Sequence, residues 1–465
     1  MFILRSGWPS DFHKSLLDSS FEPRQFPALL SVFFFKMNRK WNFLLLSLLV
    51  VATLLVGADY GSPDTLSNSY DSGDIAWMVV ASAFVLLMTP GLAFFYGGMV
   101  NRKNVISTML QSFVALGVIS VMWVVVGFSL CFGTSIGGVI GDPRTYFAFR
   151  DVGLAPNQDF AGTIPFLLFA LFQLKFAIIT PALITGSFAG RIRFRAYILF
   201  MVLFSLIIYP PLAHMTWHPD GLLRNWGVLD FAGGTVVHMS AGFAALAGAL
   251  FLGKRKELDD QPANIPFVIL GTGLLWFGWF GFNAGSALGA NADAVKAFAN
   301  TNLASATAMI TWVFYDRFQN RKMSALGACI GAIVGLVAIT PAAGFVSISH
   351  SIFIGFIAAL VSNWAIRWQS RFEIDDTLDV FASHGVGGLV GMVLTGVFAD
   401  EVGLIYGETT VFVRHIISLV AVAVGVLGAS FGLYAVVNRI IPLRVRTDQE
   451  QRGLDHSQHG ERMLP

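Results

Sequence analysis

The sequence predicts an all-α integral membrane protein of eleven transmembrane helices. Its first ten spans form an inverted five-helix pseudo-repeat, with the N-terminus outside and the C-terminus inside. Three observations carry that expectation. The composition suits lipid: 55% of the 465 residues are hydrophobic and 12% are charged, with a mean hydropathy of +0.67, well above a soluble domain. Apolar runs of about twenty residues, enough to cross a hydrocarbon layer about 30 Å thick, recur from residue 75 to residue 437. Every second loop between them is basic.

In chain order, residues 1–36 are mixed in composition and lack periodicity, and Met37 then opens MNRKWNFLLLSLLVVATLLVGADYG. Arg39 and Lys40 make a basic start, Phe43 to Val56 an apolar stretch, and Gly57 and Ala58 a small-residue cleavage site, which together read as a signal peptide. Residues 1–36 are therefore read as an extension upstream of the true start codon, 37–58 as the signal peptide and 59–74 as a periplasmic N-terminal segment. Residues 75–440 are the transmembrane domain and 441–465 a cytoplasmic tail. The expected spans are 75–98, 105–132, 164–188, 195–215, 231–252, 265–285, 299–318, 324–340, 345–367, 380–398 and 411–437.

Short cytoplasmic loops carry the excess of Lys and Arg. Here the basic clusters are Arg102/Lys103, Arg191/Arg193/Arg195, Lys254/Arg255/Lys256, Arg317/Arg321/Lys322, Arg367/Arg371 and Arg439/Arg444/Arg446, whereas Asp142, Asp151, Asp159, Asp220, Asp293, Asp400, Glu401 and Glu408 mark the alternate loops. That alternation sets the orientation. Blocks of five spans are odd, so the second block runs opposite to the first, an arrangement that in transporters places the site near the midplane between halves.

The fifth and tenth spans close those blocks, and each holds one histidine. DFAGGTVVHMSAGFAALAGALFLGKRK, from Asp230 to Lys256, has a carboxylate at its start, His238 in its interior and a basic stop. DDTLDVFASHGVGGLVGMVLTGVF, from Asp375 to Phe398, repeats the pattern with Asp379 at the entrance and His384 inside. Small residues follow each histidine at matched offsets and allow close helix approach. Ionisable groups inside a membrane mark pathways or find partners, and two matched histidines point to a pathway more than to packing. At about 1.5 Å per residue, His238 lies roughly 12 Å beyond Asp230 and His384 roughly 7.5 Å beyond Asp379, so Asp379 must start below the surface if the rings are to meet. Eight residues also turn Asp230 roughly 80° around the helix from His238, which disfavours a direct bond between them.

Other functions find little support. Cys131 and Cys329 sit in apolar runs without ligand spacing and read as small core residues. No phosphate loop, nucleophile elbow or zinc motif occurs, no cofactor is implied, and two histidines without a carboxylate or thiolate at ligand spacing are too few for a closed zinc site. The chain is not expected to be an enzyme.

The chain resembles the ammonium transporter family (Amt/Rh), on its Amt side. The likeness rests on DFAGGTVVHMSAG (Asp230 to Gly242), GWFGFNAGSA (Gly278 to Ala287) and DDTLDVFASHGVGG (Asp375 to Gly388), supported by FYGGMVNRKN, FQLKFAIITPALITG and a late GLD followed by HGE. The resemblance implies a homotrimer in the inner (cytoplasmic) membrane, each subunit with its own narrow pore. It also implies an outer recruitment site at Phe176, Trp217 and Ser286, a stacked gate of Phe176 and Phe282, and pore histidines at His238 and His384. Asp230 would support the site, and the tail would be a regulatory element that can meet a PII-type signalling protein. The chemistry fits: aromatic faces attract cations, a hydroxyl accepts from ammonium, and a neutral imidazole both donates and accepts. The activity implied is capture and deprotonation of ammonium and conduction of ammonia, with or without the proton. Two alternatives are an ammonium sensor that transports little, against which the full set of pore motifs argues, and a gas channel as on the Rh side, against which Trp217 and Ser286 argue.

Three departures from the family pattern stand out. Lys175 interrupts the third span and is expected to snorkel outward. The loop after Trp217 reads HPDG, one residue longer than the family's form, with His218 expected as an ordinary exposed residue. Gly190 stands where an acidic residue is common, so a contact from that loop to the tail is expected to be missing. The tail has no effector domain after it within the sequence, which lowers the case for a dedicated sensor.

Overall fold

The computed structural model describes residues 70–257 and 261–463. The expected extension, the signal peptide and most of the 59–74 segment lie outside the described residues. The helices that follow are α1 (Ser72–Met99), α2 (Arg102–Phe132), α3 (Phe166–Phe188), α4 (Phe194–Asn225), α5 (Gly234–Leu252), α6 (Ile265–Gly285), α7 (Ala292–Phe318), α8 (Ala325–Ile339), α9 (Ile348–Arg371), α10 (Phe381–Phe398) and α11 (Thr409–Ile440). Among the described residues, nine are long and apolar enough to cross a membrane. The two outside that set are α7, which carries Asn300, Thr301 and Asn302, and the shorter α8.

Side-chain caps explain many of the helix starts. Asp71, Asn264, Asn291, Ser324 and Ser347 each accept a backbone N–H from the first turn of α1, α6, α7, α8 and α9, satisfying donors that a helix leaves open. The Asn291 cap, 3.0 Å from Ala294 N, starts α7 well before the expected residue 299. In α5, the Asp230 carboxylate gathers the N–H groups of Gly233, Gly234 and Thr235 at 2.8, 2.6 and 2.7 Å and the Thr235 hydroxyl at 2.5 Å. Gly233 takes a φ of 118° there, open to glycine because it has no Cβ. The helix therefore begins at Gly234 rather than 231.

Two histidine helices cross near the middle of the bundle. Both α5 and α10 open with a π-turn, Gly234–Met239 and Phe381–Val386, and each turn contains its histidine. Such wide turns rotate side chains out of helical register and recur at functional sites.

A carboxylate that caps the start of α10 is Asp376, three residues before the expected Asp379. Asp376 Oδ2 accepts from Phe381 N at 2.7 Å, and Asp376 stands eight residues before His384 as Asp230 stands eight before His238. The unequal depths expected from Asp379 disappear. Asp379 itself sits at a φ of 53° and offers its carbonyl to Ser383 N at 2.9 Å.

At the opposite end from the Asp230 loop, Arg191 is fully buried. It donates to Asp375 O and to Thr377 Oγ1, while Arg255 grips the Asp375 carboxylate at 2.8 and 3.0 Å. Burial lowers the Arg191 pKa to about 10, so it stays charged at neutral pH. The tail lies here too, and it is docked. Arg193 N donates to Leu443 O at 2.7 Å and Val445 N to Arg191 O at 3.0 Å. Asp455 accepts from Ile106 N and Ser107 N at 3.0 and 2.8 Å, and Asn104 Oδ1 accepts from Leu454 N at 2.8 Å. The contact expected to be missing at the Gly190 loop is thus made by the backbone beside it.

Candidate functional site

Trp217 ends the helical turn Tyr209–Trp217 of α4, and its position is held from both sides. Its Nε1 donates to Asp230 O at 3.3 Å, and Arg224 Nη1 donates to its carbonyl at 2.8 Å. The loop behind it is fixed by His218, which is buried rather than exposed as expected. His218 stacks on His214 with centroids 4.3 Å apart, meets the Phe160 edge at 5.4 Å, and accepts from Asp220 N at 3.0 Å.

A cavity of about 400 Å³ lies beneath Trp217 and is lined by Phe176, Asp230, Ser286 and Arg224 among others. The three expected recruitment residues therefore face one space. Ser286 Oγ donates its hydrogen to Phe282 O at 2.8 Å, which leaves its lone pairs to accept from a cationic donor. Trp217 and Phe176 meet edge to face at 5.7 Å, offering ring faces to a cation. The residues lining this cavity do not include Lys175, which is half-buried on α3.

The floor is the Phe176–Phe282 pair, with centroids 4.2 Å apart and both rings buried. Below Phe282 lies a second space of about 10 Å³, bounded by His238, Trp279, His384 and aliphatic side chains, on the scale of a single water. A third of about 10 Å³ continues past His384 to Ser383, Tyr96 and Leu378. Phe282, His238 and His384 thus lie in series.

His238 Nδ1 and His384 Nδ1 stand 3.3 Å apart, with the rings tilted by 26°. One must donate and the other accept, so the shared proton forces opposite tautomers. The donor ring keeps a bare Nε2 and the acceptor ring carries its hydrogen on Nε2. His238 Nε2 is buried without a partner among the described residues. Its ring lies on Trp279 at 5.4 Å, and Trp279 Nε1 is anchored to Thr340 Oγ1 at 2.9 Å.

The Asp230 carboxylate is spent on its four local donors. Charge-assisted bonds contribute about 1.5–3 kcal/mol each, which together offset the several kcal/mol that burying an ion costs. Sequence reasoning did not single out Trp279, Arg224 or Asp376. For Asp376 a signal existed, the shared eight-residue offset; for Arg224 none did, since its partner is a backbone carbonyl.

The family model for the Ammonium Transporter Family matches residues 76–463. The ammonium transporter of Aquifex aeolicus is 47% identical over 399 residues, covering 84% of this chain and 93% of that protein. The crystal structure of Saccharomyces cerevisiae Mep2 superposes with a TM-score of 0.77 at 35% identity, covering 83% of this chain and 94% of the other. A solved structure titled "Sensor Amt Protein" gives 0.77 at 30% identity, covering 83% and 98%. With its helices, its paired histidines and these relatives, this multi-pass membrane protein belongs to the ammonium transporter family.

Proposed function

We propose that the chain captures ammonium in the cavity under Trp217, that ammonium gives up its proton to the water of that cavity at the Phe176–Phe282 gate, and that the ammonia left behind is conducted past His238 and His384. The observation that carries this reading is the gate itself, two buried rings 4.2 Å apart between a wide polar cavity and a chamber of about 10 Å³. A hydrated ion entering so dry and narrow a space loses several kcal/mol of solvation. A neutral molecule that can donate and accept hydrogen bonds meets the unpartnered His238 Nε2 instead. Potassium can shed neither charge nor proton, so the same design excludes it.

The reading includes eleven spans, with the N-terminus outside and the C-terminus inside. It is supported by α7, whose Asn300 is bonded to the carbonyls of Ala343 and Val346 at 2.9 and 2.8 Å, so its polarity is satisfied inside the bundle. The 15 residues of α8 make about 22 Å of helix, and most of them are buried among neighbours rather than facing lipid. The inverted repeat is supported by the matched pairs Asp230/His238 and Asp376/His384. The homotrimer, the inner-membrane location and a PII-type partner at the tail belong to the same reading and rest on the family resemblance.

Proteoliposomes given an inward ammonium gradient test it. The expected result is a saturable ammonium-dependent internal pH change that excess potassium does not suppress and that Trp217→Leu with Ser286→Ala weakens severalfold. Competition by potassium would overturn it. The likeness to the structure titled "Sensor Amt Protein" favours a second reading, in which the site mainly reports occupancy; binding without any flux in the same vesicles would select it.

A further inference from the structure

A separate feature lies on the lateral face of the bundle, away from the pore. Up to Ile207, α4 packs directly on α11. At Ile208 the backbone leaves ideal helix geometry, with φ −104° and ψ −51°, and Pro210 and Pro211 follow. Two consecutive residues without an N–H interrupt the helical hydrogen bonds and redirect the chain. Beyond this point a groove of about 760 Å³ opens between α4 and α11.

The groove is mostly apolar, with Asn225 and Ser418 as the polar residues of its lining. On α11, Ala421, Gly425 and Ala429 recur every four residues and form one small-residue wall. A Cβ placed on Gly425 would meet nothing within 4 Å. Leu212 and Met215 form the facing wall, and Trp226, 37% exposed, closes the end nearest the Trp217 cavity. Both walls are helices apolar and long enough to span a membrane, so the solvent available to this concavity is hydrocarbon rather than water.

The rim at that end is charged. Arg414 lies one turn before Ser418, a groove residue whose hydroxyl donates to the Arg414 carbonyl at 2.8 Å. Its Nη1 stands 3.2 Å from where a Cβ on Gly227 would lie, so the guanidinium reaches across from α11 to the residue after Trp226. Among the described residues, no hydrogen bond or ion pair engages that guanidinium. A half-buried planar cation without a counter-charge, above an apolar slot and beside an amphipathic tryptophan, is complementary to a phosphodiester with an attached acyl chain.

We propose that this groove binds one anionic phospholipid, with an acyl chain along Ala421, Gly425 and Ala429 and the headgroup phosphate on Arg414. The site is independent of the conduction pathway.

The test is native mass spectrometry of the delipidated full chain, titrated with dioleoyl-phosphatidylglycerol or dioleoyl-phosphatidylcholine. The natural protein is expected to take its first phosphatidylglycerol in preference to phosphatidylcholine. In Arg414→Gln that preference falls by about fivefold, the worth of one cationic contact at a membrane surface. Filling the slot with Ala421→Leu and Gly425→Leu abolishes the first site for both lipids and leaves the oligomeric mass unchanged. An unchanged preference in Arg414→Gln overturns the proposal and decides it alone if the filled variant does not fold. A change of oligomeric state in the filled variant also overturns it, because the groove is then covered by a second copy of the chain.

Discussion

Gly242 of α5 lies so close to Gly385 of α10 that a Cβ on the first would run into the backbone nitrogen of the second. The contact sits four residues beyond His238 and one beyond His384, so it sets the distance between the two rings. Gly242→Ala must force the helices apart, with an overpacking cost of about 1–3 kcal/mol. We expect a folded protein of lowered thermal stability whose uptake is lost, because a 3.3 Å contact does not survive a shift on the order of 1 Å. Uptake and melting temperature measured on the same preparation check this, and normal uptake would refute the spacing argument.

The gate makes a different demand. Phe176→Ala with Phe282→Ala removes both rings of the 4.2 Å pair and joins the cavity to the chamber below. The double variant should still assemble and should lose selectivity for ammonium over potassium. Competition assays in vesicles read this out, and unchanged selectivity would mean the rings only pack.

Asp376 carries a pH signature. Burial raises its carboxyl pKa above the ordinary value, although Phe381 N–H and Gln369 oppose the shift. The folded state therefore binds this proton more tightly than the unfolded chain does. Its stabilising effect is full below the unfolded pKa and is lost as pH rises through the folded one. Asp376→Asn keeps an acceptor for Phe381 N–H and removes the titration. Melting temperature followed across the acid range should fall with rising pH less steeply in the variant. Identical slopes would contradict the assignment.

Truncation after Val445 removes the Asp455 acceptor from Ile106 and Ser107 and the Glu450 partner of Arg444. The helices should remain folded while uptake changes severalfold or binding of a PII-type protein is lost. Full uptake with partner binding intact would reduce the tail to a passive cover.

The helices were legible because apolar length is a local signal, and the histidine pair was legible because its surroundings repeat. Asp376 was readable from the eight-residue offset, but Asp379 lay nearer the expected helix start and drew the assignment. His218 was not readable as buried, since its cover comes from His214 and from Phe160, far away in sequence. The docked tail was equally hidden. Its partners Asn104, Ser107 and Arg191 lie on distant segments, and a polar composition does not distinguish a solvated tail from one whose polar groups are satisfied by backbone. The π-turns that aim both histidines leave no periodic trace.

The most direct measurement is current and ammonium uptake recorded together, in reconstituted membranes, for the natural protein and for His238→Ala and His384→Ala. The account predicts saturable uptake in the natural protein and loss of flux or of discrimination in both variants; current in step with uptake would add that the proton accompanies ammonia. Bound ammonium with neither current nor uptake in the natural protein, or variants that transport and discriminate as it does, would contradict it.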